Sequence, residues 1–227
     1  MASNDILNMG IMSNPAVLQS IRELSNQPLT RQLLTSILRD HKEPVHKIEE
    51  LLLAGHLETV RDGMYLPTKK LSPFRPEPFL LANHLFGPSY VSFESALSFY
   101  GLIPERVYEV TSATTKRTER LNTSIAAFSF TWLPLPYYSF GIRHLELGNE
   151  QHILIASPEK ALFDKIVTTV GVKLNSSKSA TEYLIENLRI DEDDLQELDT
   201  KVMETWLGDA PKSKTLSMII KSIKGLK

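Results

Sequence analysis

The side chains this chain offers for chemistry are sparse. It has six histidines and no cysteine in 227 residues. The missing thiols exclude disulfides, thiolate nucleophiles and cysteine-ligated zinc, and fit a cytoplasmic protein. His41 and His46 stand five apart, off a common helix face, so they do not form a metal pair. Glu159 and Asp164 are also five apart, a poor spacing for an acid–base carboxylate pair. Lys160 and Asp164 stand four apart, which suits a surface ion pair worth about 0.2–0.5 kcal/mol. The run Asp191–Asp194 offers carboxylates to a cation, but charge complementing a helix N-terminus explains it more simply. Phosphate-binding glycine loops, a Gly-x-Ser-x-Gly elbow and a His-Glu-x-x-His pair are all absent from the sequence. The chain is therefore expected to be no enzyme, with no catalytic residue, no metal and no cofactor.

What remains is recognition chemistry. Net charge is -2, and residues 1–70 carry eight Lys/Arg against eight Asp/Glu, so nucleic-acid contact would have to come from a local patch. The candidates are Thr30 and Arg31, then Arg39, His41 and Lys42, then His46 and Lys47, and finally Arg61. Lysine and arginine neutralise phosphates, and either can read guanine edges. Glu49 and Glu50 lie among them and repel phosphate.

These residues fall on a regular series of elements. Asn14-Pro15 opens a helix with Val17, Leu18, Ile21 and Leu24 at helical spacing. Thr30 caps a second helix with Leu33, Leu34, Ile37 and Leu38, and Arg39–Glu43 is a polar turn. Pro44 opens a third, with Val45, Ile48, Leu51 and Leu52, ended by Gly55. Two strand-like runs, Leu57–Val60 and Met64–Pro67, flank Asp62-Gly63, a strong hairpin signal. Three helices and a hairpin describe a winged helix–turn–helix, in which one helix enters a major groove and the wing touches backbone. The prolines of 69–78 mark a linker, which gives domains 1–70 and 71–227.

In the second part a skeleton occurs twice. Tyr90–Ile103 and Ile153–Ile166 both read apolar, then Ser-x-Glu-x-Ala-Leu. Ser92 and Ser157 suit the N-cap, Pro158 suits the first helical position, and Glu94 and Glu159 complement the dipole. In the first copy Ala96, Phe99 and Tyr100 share a face. A helix is expected at 78–86. Strands are expected at Val107–Thr111, Ile125–Phe130 and Tyr137–Ile142, with His144–Glu146 pairing Gln151–Ile155. Lys116–Arg120 is a basic turn. The last third is helical: Ser179–Leu188, then a helix opened by Asp191–Asp194 with Leu195, Leu198, Val202 and Trp206 on one face. In Lys212–Lys227, Leu216, Ile219, Ile220 and Ile223 form a stripe that could dock on the core or leave a basic helix for nucleic acid or an anionic surface. The class is α+β: a winged helix–turn–helix, then a mixed α/β domain with a helical C-terminal third. No apolar run reaches membrane-spanning length, and the start Met-Ala-Ser-Asn-Asp lacks the basic region of a secretory signal, so no membrane partner is expected.

Taken together, Leu52–Leu66, the Tyr90–Pro104 stretch, Phe128-x-Phe130 with its following Leu-Pro, and Ile155–Asp164 resemble the AbiEi family. These are antitoxins of type IV toxin–antitoxin, or abortive-infection, systems. The resemblance covers about residues 14–166. It implies a regulator whose winged helix represses its own operon by binding promoter DNA with repeats. It also implies a second domain that counteracts a partner nucleotidyltransferase toxin, without needing a stable complex. Lys116, Arg117 and Arg120 fall where family members are often basic, which makes them a candidate antitoxin surface. Glu49 and Glu50 depart from the pattern, since relatives are typically rich in arginine on the third helix. The alternative reading is a winged-helix module that binds protein or RNA and does not bind DNA sequence-specifically. A nucleotidyltransferase itself would need a Gly-Ser followed by an Asp-x-Asp pair to hold magnesium, and the sequence has no such arrangement.

Overall fold

The computed structural model describes residues 15–227. Asn14, expected as the cap of the first helix, lies outside the described residues, as does the stretch from Met1 to Asp5. The chain divides into two compact units. One runs to Leu81 and includes 123–125 and 147–151; the other comprises 82–122, 126–146 and 152–227.

The first unit contains α1 (Pro15–Glu23), β1 (Leu29–Thr30), α2 (Arg31–Ile37), α3 (Pro44–Leu53), β2 (Leu57–Arg61) and β3 (Met64–Pro67). The strands form one antiparallel sheet in the order β1-β3-β2. Thr30 Oγ1 accepts the Leu33 N–H and so caps α2. Pro44 takes the first position of α3. That helix ends on left-handed Gly55, with His56 N donating to Leu51 O and Gly55 N to Leu52 O, a paired closure that satisfies two orphan carbonyls. Asp62 and Gly63 make the β2–β3 turn, and the pairing slips between Thr59 and Arg61. Ile21, Leu29, Leu34, Leu38, Ile48, Leu51 and Leu57 are buried in one cluster. Each contributes about 1.5–3 kcal/mol relative to exposure, so the helix periodicity is what closes this unit.

The second unit is built on a six-stranded sheet in the order β6-β7-β5-β4-β9-β8. Its strands are β4 (Ser89–Val91), β5 (Glu109–Thr114), β6 (Glu119–Asn122), β7 (Ala127–Trp132), β8 (Ile142–Leu147) and β9 (Gln151–Ala156). Helix α4 (Pro78–Leu85) precedes them. Helix α5 (Phe93–Phe99) follows β4, and α6 (Pro158–Thr168) follows β9. The repeated skeleton thus becomes two strand–helix units side by side: β4 and β9 pair in parallel at Val91 and Ile155, and α5 packs on α6. After α6 come α7 (Ser177–Glu182), α8 (Glu192–Glu197), α9 (Thr200–Thr205) and α10 (Ser213–Leu226). The class is α+β.

Several local expectations need correction. Tyr137–Ser139 is a 3-10 turn and β8 starts only at Ile142, because Tyr138 N and Ser139 N donate to Pro134 O and Pro136 O. The helix expected over Ser179–Leu188 passes into a π-type turn at Tyr183–Asn187, closed by Leu188 N to Tyr183 O. The helix expected across Leu195–Trp206 breaks after Leu198, where the Asp199 carboxylate caps a new helix. The break turns Val202 outward, although Leu195, Leu198 and Trp206 are buried. Phe99 is partly exposed and does not share the buried face of Ala96. Strand β5 begins at Glu109, and Glu119 and Arg120 lie in β6 beyond the basic turn. The C-terminal stripe docks: Leu216, Ile219, Ile220 and Ile223 are all buried. Among the described residues no helix is long and apolar enough to cross a membrane.

Candidate functional site

In the first unit, α2, α3 and the β2–β3 turn hold the residues proposed for nucleic-acid contact. Thr30 is committed to its capping bond. Arg31 Nη2 sits 2.7 Å from Asp62 Oδ1 across the turn, and Tyr65 and Asp62 raise the guanidinium above its ordinary pKa. Arg31 is therefore bound to an acid in the free protein. Arg39 Nε lies 4.0 Å from Asp40 Oδ1, both side chains mostly in water. His41 and Lys42 follow in the turn before α3, with Lys42 exposed. Arg61 is exposed at the end of β2.

The face of α3 is different from what a phosphate-binding helix requires. Lys47 is largely buried and bonded to Glu50, and that bond holds the Glu50 carboxyl below its ordinary range. His46 lies between two acids, with Nδ1 3.5 Å from Glu49 and Nε2 3.6 Å from Glu50. Arg39, His41 and Lys42 thus cluster before α3, while the helix itself turns Val45, His46, Glu49 and Leu53 outward.

In the second unit the expected antitoxin surface is partly self-neutralised. Arg117 pairs with Glu119 at 2.9 Å, and Arg120 lies 3.6 Å from Glu109. Lys116 is exposed, with Nζ 5.5 Å from the Phe86 ring centroid. Thr118 Oγ1 accepts the Trp132 N–H, which ties the basic turn to the end of β7.

The repeated motif leads inward. Lys160 and Asp164 are not a surface pair: both side chains have zero exposure, and Nζ–Oδ1 is 2.7 Å. Every α6 residue from Glu159 to Asp164 is buried, so the four-residue spacing lies within the core. Asp164 Oδ2 accepts hydrogen bonds from Tyr90 Oη at 2.9 Å and Ser92 Oγ at 2.8 Å. Lys160 Nζ donates to Tyr137 O at 3.0 Å and stands 3.3 Å from the Tyr137 ring centroid. Burial pulls the Lys160 ammonium down, against the pull of Asp164 upward. Burial, then the Asp164 charge, pushes the Tyr90 and Tyr137 hydroxyls well above the ordinary phenol range and Tyr138 up to about 12. Among the described residues Tyr137 Oη has no hydrogen-bond partner of normal geometry.

The remaining motif residues are cross-ties. Ser157 Oγ accepts the Lys160 N–H as a helix cap, whereas Ser92 gives its hydroxyl to Asp164. Glu94 of α5 pairs with Lys165 of α6. Glu159 lies 3.8 Å from Arg143 and accepts the Asp199 N–H, which holds α9 on α6. Sealed from water, this centre positions elements and cannot touch a solute without opening. Tyr137 and Gly141 belong to it and carry no signal in the sequence: the glycine's missing Cβ lets Trp206 and Lys160 approach. No protein-family model matches the chain, and no curated protein matches it. Among the described residues no group of three or more acids and histidines is placed to hold a metal.

Proposed function

We infer that the chain is a two-part regulator acting in the cytoplasm. Its first unit is a winged helix that docks on promoter DNA containing repeats. Its second unit counteracts a nucleotidyltransferase toxin. The observation that carries the reading is the order helix, strand, helix, helix, strand, strand, closed into the β1-β3-β2 sheet with a two-residue wing turn. The cluster of Arg39, His41 and Lys42 at the approach to α3 supports docking through the turn, with Arg61 at the wing. Glu49 and Glu50 argue against deep insertion of α3, so phosphate contacts dominate and affinity should fall steeply with salt.

The test is titration of the full chain against its own upstream duplex and a scrambled duplex at two salt concentrations. Preference for the upstream duplex, and its loss in Arg39→Glu/Lys42→Glu, is the expected result. Equal binding to both duplexes, or full binding by the double variant, overturns the DNA reading. For the second half, co-expression with a nucleotidyltransferase encoded beside this gene should restore growth, and failure to do so refutes the antitoxin assignment. A second reading, a winged-helix module for protein or RNA, is favoured by one observation: His46 is held between Glu49 and Glu50.

A further inference from the structure

Two exposed apolar patches, one in each unit, carry opposite charge. On α3, Val45, Glu49 and Leu53 recur every four residues and form a line along the outer face. Val45 is 55% exposed and Leu53 89%, while Ile48 and Leu51 are buried on the opposite side. Glu50 is occupied by Lys47, so Glu49, 3.5 Å from His46 Nδ1, supplies the outward charge of this line. In the second unit Trp132 is 52% exposed and Leu135 68%, at the end of β7 and in the loop after it. The Thr118–Trp132 hydrogen bond brings the 116–118 turn beside this patch. Lys116 is exposed there, and the Arg117 side chain remains 83% exposed despite its pairing with Glu119.

An exposed tryptophan beside an arginine is the composition of an interface anchor. Trp132 with Leu135 can cover Val45 and Leu53, while Lys116 and Arg117 meet Glu49. We propose that the α3 line of one molecule docks on the Trp132–Leu135 patch of a second copy of this chain.

The two surfaces differ, so the contact is heterologous: a bound pair keeps one free patch of each kind, through which further copies can add head to tail. Each patch offers only two apolar side chains, so the association is weak and reversible. It also covers the outer face of α3, next to the Arg39–Lys42 turn, and self-association therefore competes with duplex docking through that turn. The proposal goes beyond the DNA reading and stands without it, because the assay contains no nucleic acid.

Sedimentation velocity of the full chain over a wide concentration range tests it. The weight-average sedimentation coefficient should rise past that of a dimer and fall back at high salt. Leu53→Glu and Trp132→Glu should each remain monomeric. Mixed together they should form a dimer and stop there, because one intact patch of each kind remains between them. Where Trp132→Glu fails to fold by circular dichroism, Glu49→Lys and Arg117→Glu replace the pair: each is monomeric alone, and the mixture associates. A chain that stays monomeric at every concentration overturns the proposal. So does association that survives both single variants, or a mixture that does not associate.

Discussion

Removing Asp164 should cost more than any other single change in α6. In Asp164→Leu the Lys160 ammonium loses its counter-charge and keeps the Tyr137 carbonyl and the Tyr137 and Tyr90 rings, with no exposure to water. Breaking a buried pair by deleting one partner costs about 3–5 kcal/mol. Deprotonation bounds the loss: bringing an ordinary lysine near pKa 10.4 to neutrality at pH 7 costs about 5 kcal/mol at 1.36 kcal/mol per unit. The hydroxyls of Tyr90 and Ser92 lose their acceptor as well. Lys160→Met should cost less, about 3 kcal/mol, because those two hydroxyls still solvate the carboxylate. The double variant Lys160→Met/Asp164→Leu buries no charge and should be more stable than Asp164→Leu alone, with a coupling energy of about 3 kcal/mol. Urea unfolding followed by fluorescence reads this, in a Trp132→Phe background so that buried Trp206 reports on α9 against α6. Single-variant costs that add to within about 0.5 kcal/mol would show that the pair does not act as a unit.

The same pair sets a sign for pH. Burial lowers the Lys160 pKa in the folded chain, so between that value and the ordinary lysine value the unfolded chain holds more protons. This group's contribution therefore favours folding increasingly as pH rises through that window. Lys160→Met should lose that part of the slope.

Two further perturbations test the surroundings of the centre. Gly141→Ala places a Cβ 2.8 Å from both Lys160 Cβ and the Trp206 ring at a left-handed φ of 60°, so it should destabilise the second unit by about 1–3 kcal/mol, read as a lower urea midpoint with unchanged slope. An unchanged midpoint would show that the Gly141 approach is not tight. The raised phenols predict alkaline weakening: Tyr138 holds its proton in the folded chain to about 12, whereas the unfolded phenol ionises at its ordinary 10.0. Stability supplied by this group is complete below the unfolded value and is lost as pH rises through the folded one. Tyr138→Phe should flatten that decline, and an identical decline in the variant would remove Tyr138 as its source.

Elements whose boundaries are set by local chemistry were legible in the sequence. Pro15, Thr30, Pro44, Gly55 and Asp62-Gly63 each fix a backbone choice within a few residues, and the structure places helix starts, caps and the turn there. Where the chain is decided by distant partners, periodicity misled. The apolar set Leu195, Leu198 and Trp206 was right, but Asp199 offered its carboxylate to two backbone amides and broke the helix. Lys160 and Asp164 show the limit most clearly. A four-residue spacing is the same whether the pair faces water or core, and only distant Tyr90, Ser92 and Tyr137, which close over it, decide between them. The motif's conspicuous residues are also its most internal ones: Ser92, Ser157, Glu159, Lys160 and Asp164 cap, cross-tie or neutralise one another. A likeness carried by that motif therefore speaks to how β4–α5 and β9–α6 are clamped together. Recognition by the second unit has to lie on side chains the motif leaves outward, and Lys116, Arg117, Trp132 and Leu135 meet that condition.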